Sequence, residues 1–363
     1  MKRLITILLL GFIAPSISAQ TDIVNSGLNK PFGVLLYGND LYIAEYNGEK
    51  ISKIDITAIS PTPTDVVMGL DKPCAMVRDG NYLYISEFGA NKVSRIDLNA
   101  SIPTTKTDVV TTGLSGPYGL AVYGDDLYIG EYTSSRISKI SLNAGVPTTP
   151  TVAVSPSAGL AGPQEIIFNG NYLFVAEYVG KELSIIDVTA TTASAAAIAS
   201  GLDSPSGLLF DGDNLYISEY AGNRISIMDI SVTSPTPTPV ITSLNGPIGM
   251  ALNGSDLYIA QTYGTNDKIT KVDLSSLSVK DISVQGVVKA YPNPAQHTVF
   301  IDYPSEKAVT YIVLDVSGKE LSIQHQNGQK HILNIQQLPK GIYIVKAASG
   351  NENIGSFKLI KTS

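Results

Sequence analysis

Residues Leu41 to Asp55 read LYIAEYNGEKISKID, and the pattern returns from Leu83 (LYISEFGANKVSRID), Leu127 (LYIGEYTSSRISKIS), Leu173 (LFVAEYVGKELSIID), Leu215 (LYISEYAGNRISIMD) and Leu257 (LYIAQTYGTNDKITKVD). Each copy follows a proline, and those prolines (Pro31, Pro73, Pro117, Pro163, Pro205, Pro247) lie 42, 44, 46, 42 and 42 residues apart. A fixed period of this size marks one structural unit repeated along the chain. In the first unit an apolar run, Phe32 to Leu36, meets a tight turn at Gly38-Asn39-Asp40. Leu41 to Glu45 then alternates large and small residues as a strand does. A second turn holding Gly48 leads to Ile51 to Asp55, and a Pro/Thr-rich connection leads to Asp65 to Met68. The first turn recurs as Asp79-Gly80-Asn81, Gly124-Asp125-Asp126, Asn169-Gly170-Asn171, Asp211-Gly212-Asp213 and Asn253-Gly254-Ser255, residues that tolerate the positive φ of hairpin turns. Four antiparallel strands per unit, with no helix signal, form a propeller blade, and six such blades close a ring.

Closure leaves its own trace. Thr21-Asp22-Ile23-Val24 matches the fourth-strand segments Thr64-Asp65-Val66-Val67 and Thr107-Asp108-Val109-Val110, yet it precedes the first proline and has no blade of its own. It is expected to supply the outer strand of the last blade, covering an edge that would otherwise pair with another chain.

At 363 residues, 44% hydrophobic and 16% charged, the chain has material for a large core and a second domain. Its net charge of -7 is uneven: residues 20–286 hold 15 basic and 27 acidic residues, a balance of -12, whereas 287–363 hold 8 and 5. So acidic a body repels nucleic acid and anionic membrane. Cys74 is the single cysteine, which excludes an intrachain disulfide and a cysteine-based zinc site. Residues 1–19, MKRLITILLLGFIAPSISA, combine a basic start, a short apolar run and a small-residue end, the pattern of a secretory signal peptide. From residue 287 onward, short alternating strands about ten residues apart with Gly turns argue a small β-sandwich of immunoglobulin-like type. The expected fold is therefore all-β, a six-bladed β-propeller over 20–286 followed by a β-sandwich over 287–363.

The motif P-x-G-[LV]-x-[VF] followed by [DN]-x-L-Y-I-A-[ED] and [NS]-[KR]-[IV] resembles the NHL repeat of six-bladed propellers, over about residues 21–275. The fourth unit departs from it, with Pro163-Gln164-Glu165 in place of Pro-x-Gly. The fold hosts lyases, lactonases and binding modules alike, so this resemblance implies no single activity. The C-terminal landmarks Tyr291-Pro292-Asn293-Pro294, Asp315-Val316-Ser317-Gly318-Lys319-Glu320 and Leu338-Pro339-Lys340-Gly341-Ile342-Tyr343 resemble the type A sorting domain of the type IX secretion system of Bacteroidetes-type bacteria. That resemblance implies the secretion machinery as a partner, export through the periplasm, and release or attachment at the outer cell surface.

All three histidines (His297, His325, His331) lie beyond the propeller, which removes Ser-His and Cys-His nucleophile arrangements from it. The resemblance to streptogramin lyase, a related propeller enzyme relying on histidine, fails at those residues. One polar constellation repeats: Glu45, Glu87, Glu131, Glu177, Glu219 and Gln261 end the second strand of each unit, and the five glutamates are followed by Tyr46, Phe88, Tyr132, Tyr178 and Tyr220. On one face of the ring these residues would draw a cation or a polyhydroxylated ligand stacked on the rings. The competing structural reading pairs the glutamates with Lys50, Lys92, Arg136 and Arg224 five residues later, each exposed pair contributing about 0.2–1 kcal/mol.

The fourth unit breaks the pairing. Glu182 replaces the basic residue, so Glu165, Glu177 and Glu182 form a candidate divalent-cation site, set against solvated carboxylates with Lys181 nearby. The sixth unit is irregular between Thr262 and Asp267. Asp211 to Asn214 resembles a calcium loop, but the same slot is a hairpin turn in every unit, and Cys74 reads as a small buried residue. Tyr42, Tyr84, Tyr128, Phe174, Tyr216 and Tyr258 are expected to pack between blades. The resulting expectation is an exported, non-catalytic protein that binds a glycan, peptide or protein through the face carrying the Glu–aromatic pairs, with no nucleic-acid partner, no transmembrane segment and no cofactor. The alternative is a lactonase-like, metal-dependent hydrolase or lyase using the carboxylates of the fourth blade.

Overall fold

The computed structural model describes residues 20–191, 193–231, 235–262, 267–276, 289–291, 295–302, 308–314, 319–328, 330–349 and 352–361. The signal-peptide segment Met1 to Ala19, most of the blade-six irregularity, and the sorting landmarks Pro292 to Pro294 and Asp315 to Gly318 lie outside the described residues. Contacts divide the chain into two compact units, Met1–Ser275 and Ser276–Ser363.

The first unit consists of six four-stranded antiparallel sheets. Blade one comprises Pro31–Tyr37, Asp40–Glu45, Lys50–Asp55 and Thr64–Met68. Blades two to five repeat that order from inner strands Pro73–Asp79, Pro117–Tyr123, Pro163–Asn169 and Pro205–Asp211. Blade six takes Pro247–Asn253, Asp256–Gln261 and Lys268–Asp273 from the end of the unit and Thr21–Val24 from its start. The expected closure is therefore realised. Thr21 pairs with Lys271 and Val24 with Ile269, Asp22 accepts from Thr270 (2.6 Å) and Lys268 (3.0 Å), and Val24 is buried. Successive inner strands touch one another all the way round, blade six meeting blade one, so each inner edge is covered by its neighbouring blades.

Burial follows the repeat. The second-strand aromatics Tyr42, Tyr84, Tyr128, Phe174, Tyr216 and Tyr258 are 2–6% exposed. Tyr42 packs with Val66, Met76, Leu83 and Ile85, so its ring joins blade one to blade two, and Tyr84 does the same between blades two and three. Tyr128, Phe174 and Tyr258 pack likewise with residues of the next blade, as expected from the sequence.

The inner strands converge on the axis at the residue two after each proline: Gly33, Ala75, Gly119, Glu165, Gly207 and Gly249. In the four blades with glycine there, the next inner strand comes so close that a Cβ would clash with it. A Cβ on Gly249 would run into the Phe32 carbonyl oxygen and, at 2.8 Å, the Val34 nitrogen, across the seam where blade six meets blade one. Gly249→Ala is expected to destabilise the propeller by about 1–2 kcal/mol through overpacking; an unchanged denaturation midpoint would show that the seam opens freely.

The second unit holds two sheets. One joins Lys289–Tyr291, Thr298–Asp302 and Lys330–Asn334; the other is ordered Glu320–Gln326, Val309–Leu314, Gly341–Ser349, Glu352–Lys361. Val299, Ile301 and Leu333 from the first meet Tyr311, Val313, Val345 and Leu359 from the second in one core, a sandwich as expected. His331, fully buried, donates from Nε2 to the Gly328 carbonyl (2.7 Å) and accepts at Nδ1 from the Tyr311 hydroxyl (2.6 Å), which fixes its tautomer. Among the described residues no helix is long and apolar enough to cross a membrane.

Candidate functional site

Each inner strand begins at a proline, preceded by a residue in the left-handed region: Lys30, Lys72, Gly116, Gly162, Ser204 and Gly246, with φ of 53–64°. That bend presents the preceding loop to the end of the second strand. The carboxylate there accepts the loop's backbone N–H: Asn29 to Glu45 (2.8 Å), Asp71 to Glu87 (2.9 Å), Ser115 to Glu131 (2.7 Å), Ala161 to Glu177 (2.6 Å) and Asp203 to Glu219 (2.8 Å). In blade six Gln261 uses its amide oxygen on Asn245 (2.6 Å). The next residue donates its own N–H back to the carbonyl of the bent residue, as Tyr132 does to Gly116 (2.8 Å). Every blade therefore carries the same two-bond latch.

These six side chains are 0–1% exposed, which corrects the expectation that they form a charged ligand face. Each is folded under its loop instead of out of it. The ion-pair reading fits better, with changes of partner. Arg136 and Arg224 clasp Glu131 (2.7 Å) and Glu219 (2.6 Å). Lys50 stands 3.6 Å from Glu45 and binds Asp65 more closely (2.6 Å), while Lys92 goes to Asp108 and Lys106 takes Glu87 (2.6 Å). The third strand adds a hydroxyl seven residues on: Ser94, Ser138 and Ser226 donate to Glu87, Glu131 and Glu219. Burial lifts the Glu219 carboxyl, but bonds from Arg224, the Asp203 N–H and Ser226 outweigh it and leave the group below its ordinary range. Blade four has no arginine at this place, and burial there holds the Glu177 carboxyl above its ordinary range.

The candidate cation site is not formed. Among the described residues no three His, Cys, Asp or Glu side chains gather in a way that would hold a metal ion. Glu177 is committed to its latch, with Oε1 left without a hydrogen bond, and Glu182 faces it across the hairpin register. Glu165 belongs to the inner strand, where it stands in the axial slot that four blades give to glycine. Its Oε1 accepts the Ile166 N–H (3.1 Å), and it acts electrostatically on Cys74 and Tyr118. Crowding by the inner strands pushes its carboxyl up to about 8. The side chain nevertheless keeps intermediate exposure, so it borders a space that water can reach.

The aromatic half of the constellation does converge. Tyr46, Phe88, Tyr132, Tyr178 and Tyr220 form a collar, one ring per blade, with neighbouring centroids 6.2–6.3 Å apart. In blade six the place is held by Thr262, so the collar is open on one side. Inside it Phe32 stacks on Tyr46 at 4.4 Å, and Tyr118 lies 6.1–6.3 Å from Phe32, Phe88 and Tyr132. Collar and inner rings enclose a funnel of about 280 Å³, to which Lys30, Gln164 and Ile248 also contribute.

Phe32, Tyr118, Gln164 and Ile248, each the residue after its blade's proline, are lining residues that the sequence does not single out. The structural cause is register: Pro31 opposes Glu45, and the pairing slips between Pro31 and Val34. Such a bulge frees the residue after the proline from the ladder and turns it beside Tyr46. Two polar atoms at the bottom are unusual. Tyr118 and Gln164 are each only 7% exposed, and Tyr118 Oη and Gln164 Oε1 have no hydrogen-bond partner. The Gln164 amide influences the Tyr118 hydroxyl from nearby, without bonding geometry between them. Burial, foremost, drives the Tyr118 hydroxyl well above its ordinary range, so it remains a donor at neutral pH.

Comparison with known proteins supports both units. Residues 289–362 match the secretion system C-terminal sorting domain family. No curated protein sequence matches the chain. Similar solved structures include virginiamycin B lyase from Staphylococcus aureus (16% identity, 70% of this chain and 99% of that one, TM-score 0.51). A protein of unknown function from Bacteroides thetaiotaomicron is also similar (15%, 70% and 72%, TM-score 0.56). So is the PQQ-bound aldose sugar dehydrogenase of Streptomyces coelicolor (16%, 70% and 96%, TM-score 0.53). At these identities the likeness speaks to the fold alone. The chain is a β-propeller carrying a type IX C-terminal sorting domain, and it is secreted or attached at the outer surface of the cell.

Proposed function

We propose that this protein is an exported binding module that captures its partner in the aromatic funnel at the centre of the propeller face. In this reading the repeats are of the NHL type, Met1 to Ala19 is a signal peptide in a Bacteroidetes-type bacterium, and residues 287–363 are the sorting domain for a propeller spanning 20–286. The observation that carries it is the collar: five half-buried rings, one from each of five blades, surround a space with polar atoms at its base. A propeller needs no aromatic there to fold, since blade six manages with Thr262. Rings held at fixed spacing, two χ angles each, give a partner a large contact area at small entropic cost. The funnel takes one protruding group of a larger glycan, peptide or protein, because its volume lies just under the roughly 300–1,000 Å³ of sites that enclose a whole drug-sized ligand. A lyase activity like that named for the staphylococcal neighbour finds no histidine in residues 20–286.

The test is the double variant Tyr132→Ala, Tyr178→Ala, compared with wild type on a panel of immobilised glycans and peptides. Removing two stacking rings is expected to weaken binding by about 2 kcal/mol, roughly thirtyfold. The melting temperature should move little, since both rings are partly exposed. Full retention of every interaction by the variant would remove the funnel from the account.

A further inference from the structure

The base of the funnel decides which chemistry it can accept. An anion meets a body at -12, with Lys30 as the one cationic side chain among the described lining residues. A cation would suit the rings, but no carboxylate lines the space, since the collar's own glutamates are folded behind it. Lys72 already lies over Tyr46, its Nζ 5.8 Å from the ring centroid. An apolar side chain of a peptide would fill the collar, but it would leave Tyr118 Oη and Gln164 Oε1, buried and without partners, unsatisfied. Each buried polar atom stranded in that way costs about 1–3 kcal/mol. A fitting ligand therefore has an apolar face for the rings and neutral hydroxyls for one donor and one acceptor.

From this we propose that the funnel binds a neutral saccharide end group, its C–H face against the collar and its hydroxyls bonded to Tyr118 Oη and Gln164 Oε1. The inference rests on the reading of the funnel as the binding site and adds the ligand class. A pyranose has roughly a dozen non-hydrogen atoms; at about 0.3 kcal/mol per atom its isolated affinity is on the order of 1 mM. Useful capture then comes from several end groups on one polymer or surface engaged by several copies of the protein.

Saturation-transfer NMR on the full chain, with a panel of neutral methyl glycosides at about 10 mM, suits an affinity of that order. At least one pyranoside should give signal strongest on the protons of one ring face. Tyr118→Phe and Gln164→Leu, which alter only the base, should each weaken it at least about fivefold, the loss of one neutral hydrogen bond. Tyr118→Phe also removes a partnerless hydroxyl, so folding is retained. A panel without signal on wild type overturns the saccharide assignment, as does undiminished binding by both base variants. If peptides bind instead, are lost with Tyr132→Ala, Tyr178→Ala, and bind Tyr118→Phe equally or better, the saccharide class falls while the funnel stands. If no ligand depends on the collar rings, both fall.

Discussion

Glu131→Ala is expected to cost the propeller about 3–5 kcal/mol, the usual consequence of removing one partner of a buried ion pair. The reason lies in what is left behind. Arg136 loses its bonds to both carboxylate oxygens (2.7 and 3.0 Å), the Ser115 N–H loses its acceptor (2.7 Å), and Ser134 and Ser138 lose theirs. The space vacated is fully buried, so water does not readily replace them. For a domain of this size the loss corresponds to a fall in melting temperature on the order of 10 °C. Glu131→Gln should cost less, because blade six shows that an amide oxygen can hold the latch, as Gln261 does with Asn245. Thermal and denaturant unfolding of both variants checks this. A loss under about 1 kcal/mol for the alanine variant would return Glu131 to the class of exposed surface pairs.

The second large effect runs in the stabilising direction. Glu165→Gln is expected to raise stability by an amount that grows with pH. The carboxyl titrates near 8 in the folded chain against 4.5 ordinarily, because burial penalises the charged form. Between those values the native state holds a proton that the unfolded chain has released, so wild-type stability falls as pH rises from about 4.5 through about 8. The groups facing Glu165 do not titrate in that window: the Cys74 thiol and Tyr118 hydroxyl are both driven up by burial, and the axial slots opposite hold glycine or alanine. At about 1.4 kcal/mol per unit the full difference has a ceiling near 5 kcal/mol. The side chain keeps intermediate exposure, which brings the expected gain to about 2–3 kcal/mol above pH 8, and near zero at pH 4.5. Melting curves across pH 4.5–9 should therefore diverge steadily, and parallel curves would contradict the buried setting of Glu165.

Much of this was legible from the residues because the repeat is strict. The closing strand could be read from Thr21 to Val24, since it is the only fourth-strand segment without a blade before it. The misreading of the glutamates has a definite cause. Strand order and register place Glu45 or Glu131 at the correct end of the ring, but they do not give the side-chain direction at a strand terminus, where the left-handed residue before each proline brings a loop over it. The trace of burial was present at Ser94, Ser138, Ser226 and Thr270, small polar residues at a core-facing place in the third strand, seven to nine residues after the carboxylate or amide. Glu165, Glu177 and Glu182 looked like a cluster because they are close in sequence; the hairpin puts the first on the axis and the other two at the strand end. Phe32 and Tyr118 needed the bulge, which leaves no mark in composition.

Adjacent residues with opposite roles offer the most direct test of the central claim, that the rings bind and the carboxylates stabilise the fold. The measurement is the affinity of Glu131→Ala and Tyr132→Ala for whichever panel member wild type binds best, at a temperature where both variants are folded. The account predicts that Glu131→Ala binds within a few-fold of wild type despite its lowered melting temperature, and that Tyr132→Ala loses about 1 kcal/mol of binding or more with its melting temperature nearly unchanged. The reverse pattern, with binding abolished at Glu131 and intact at Tyr132, would contradict it.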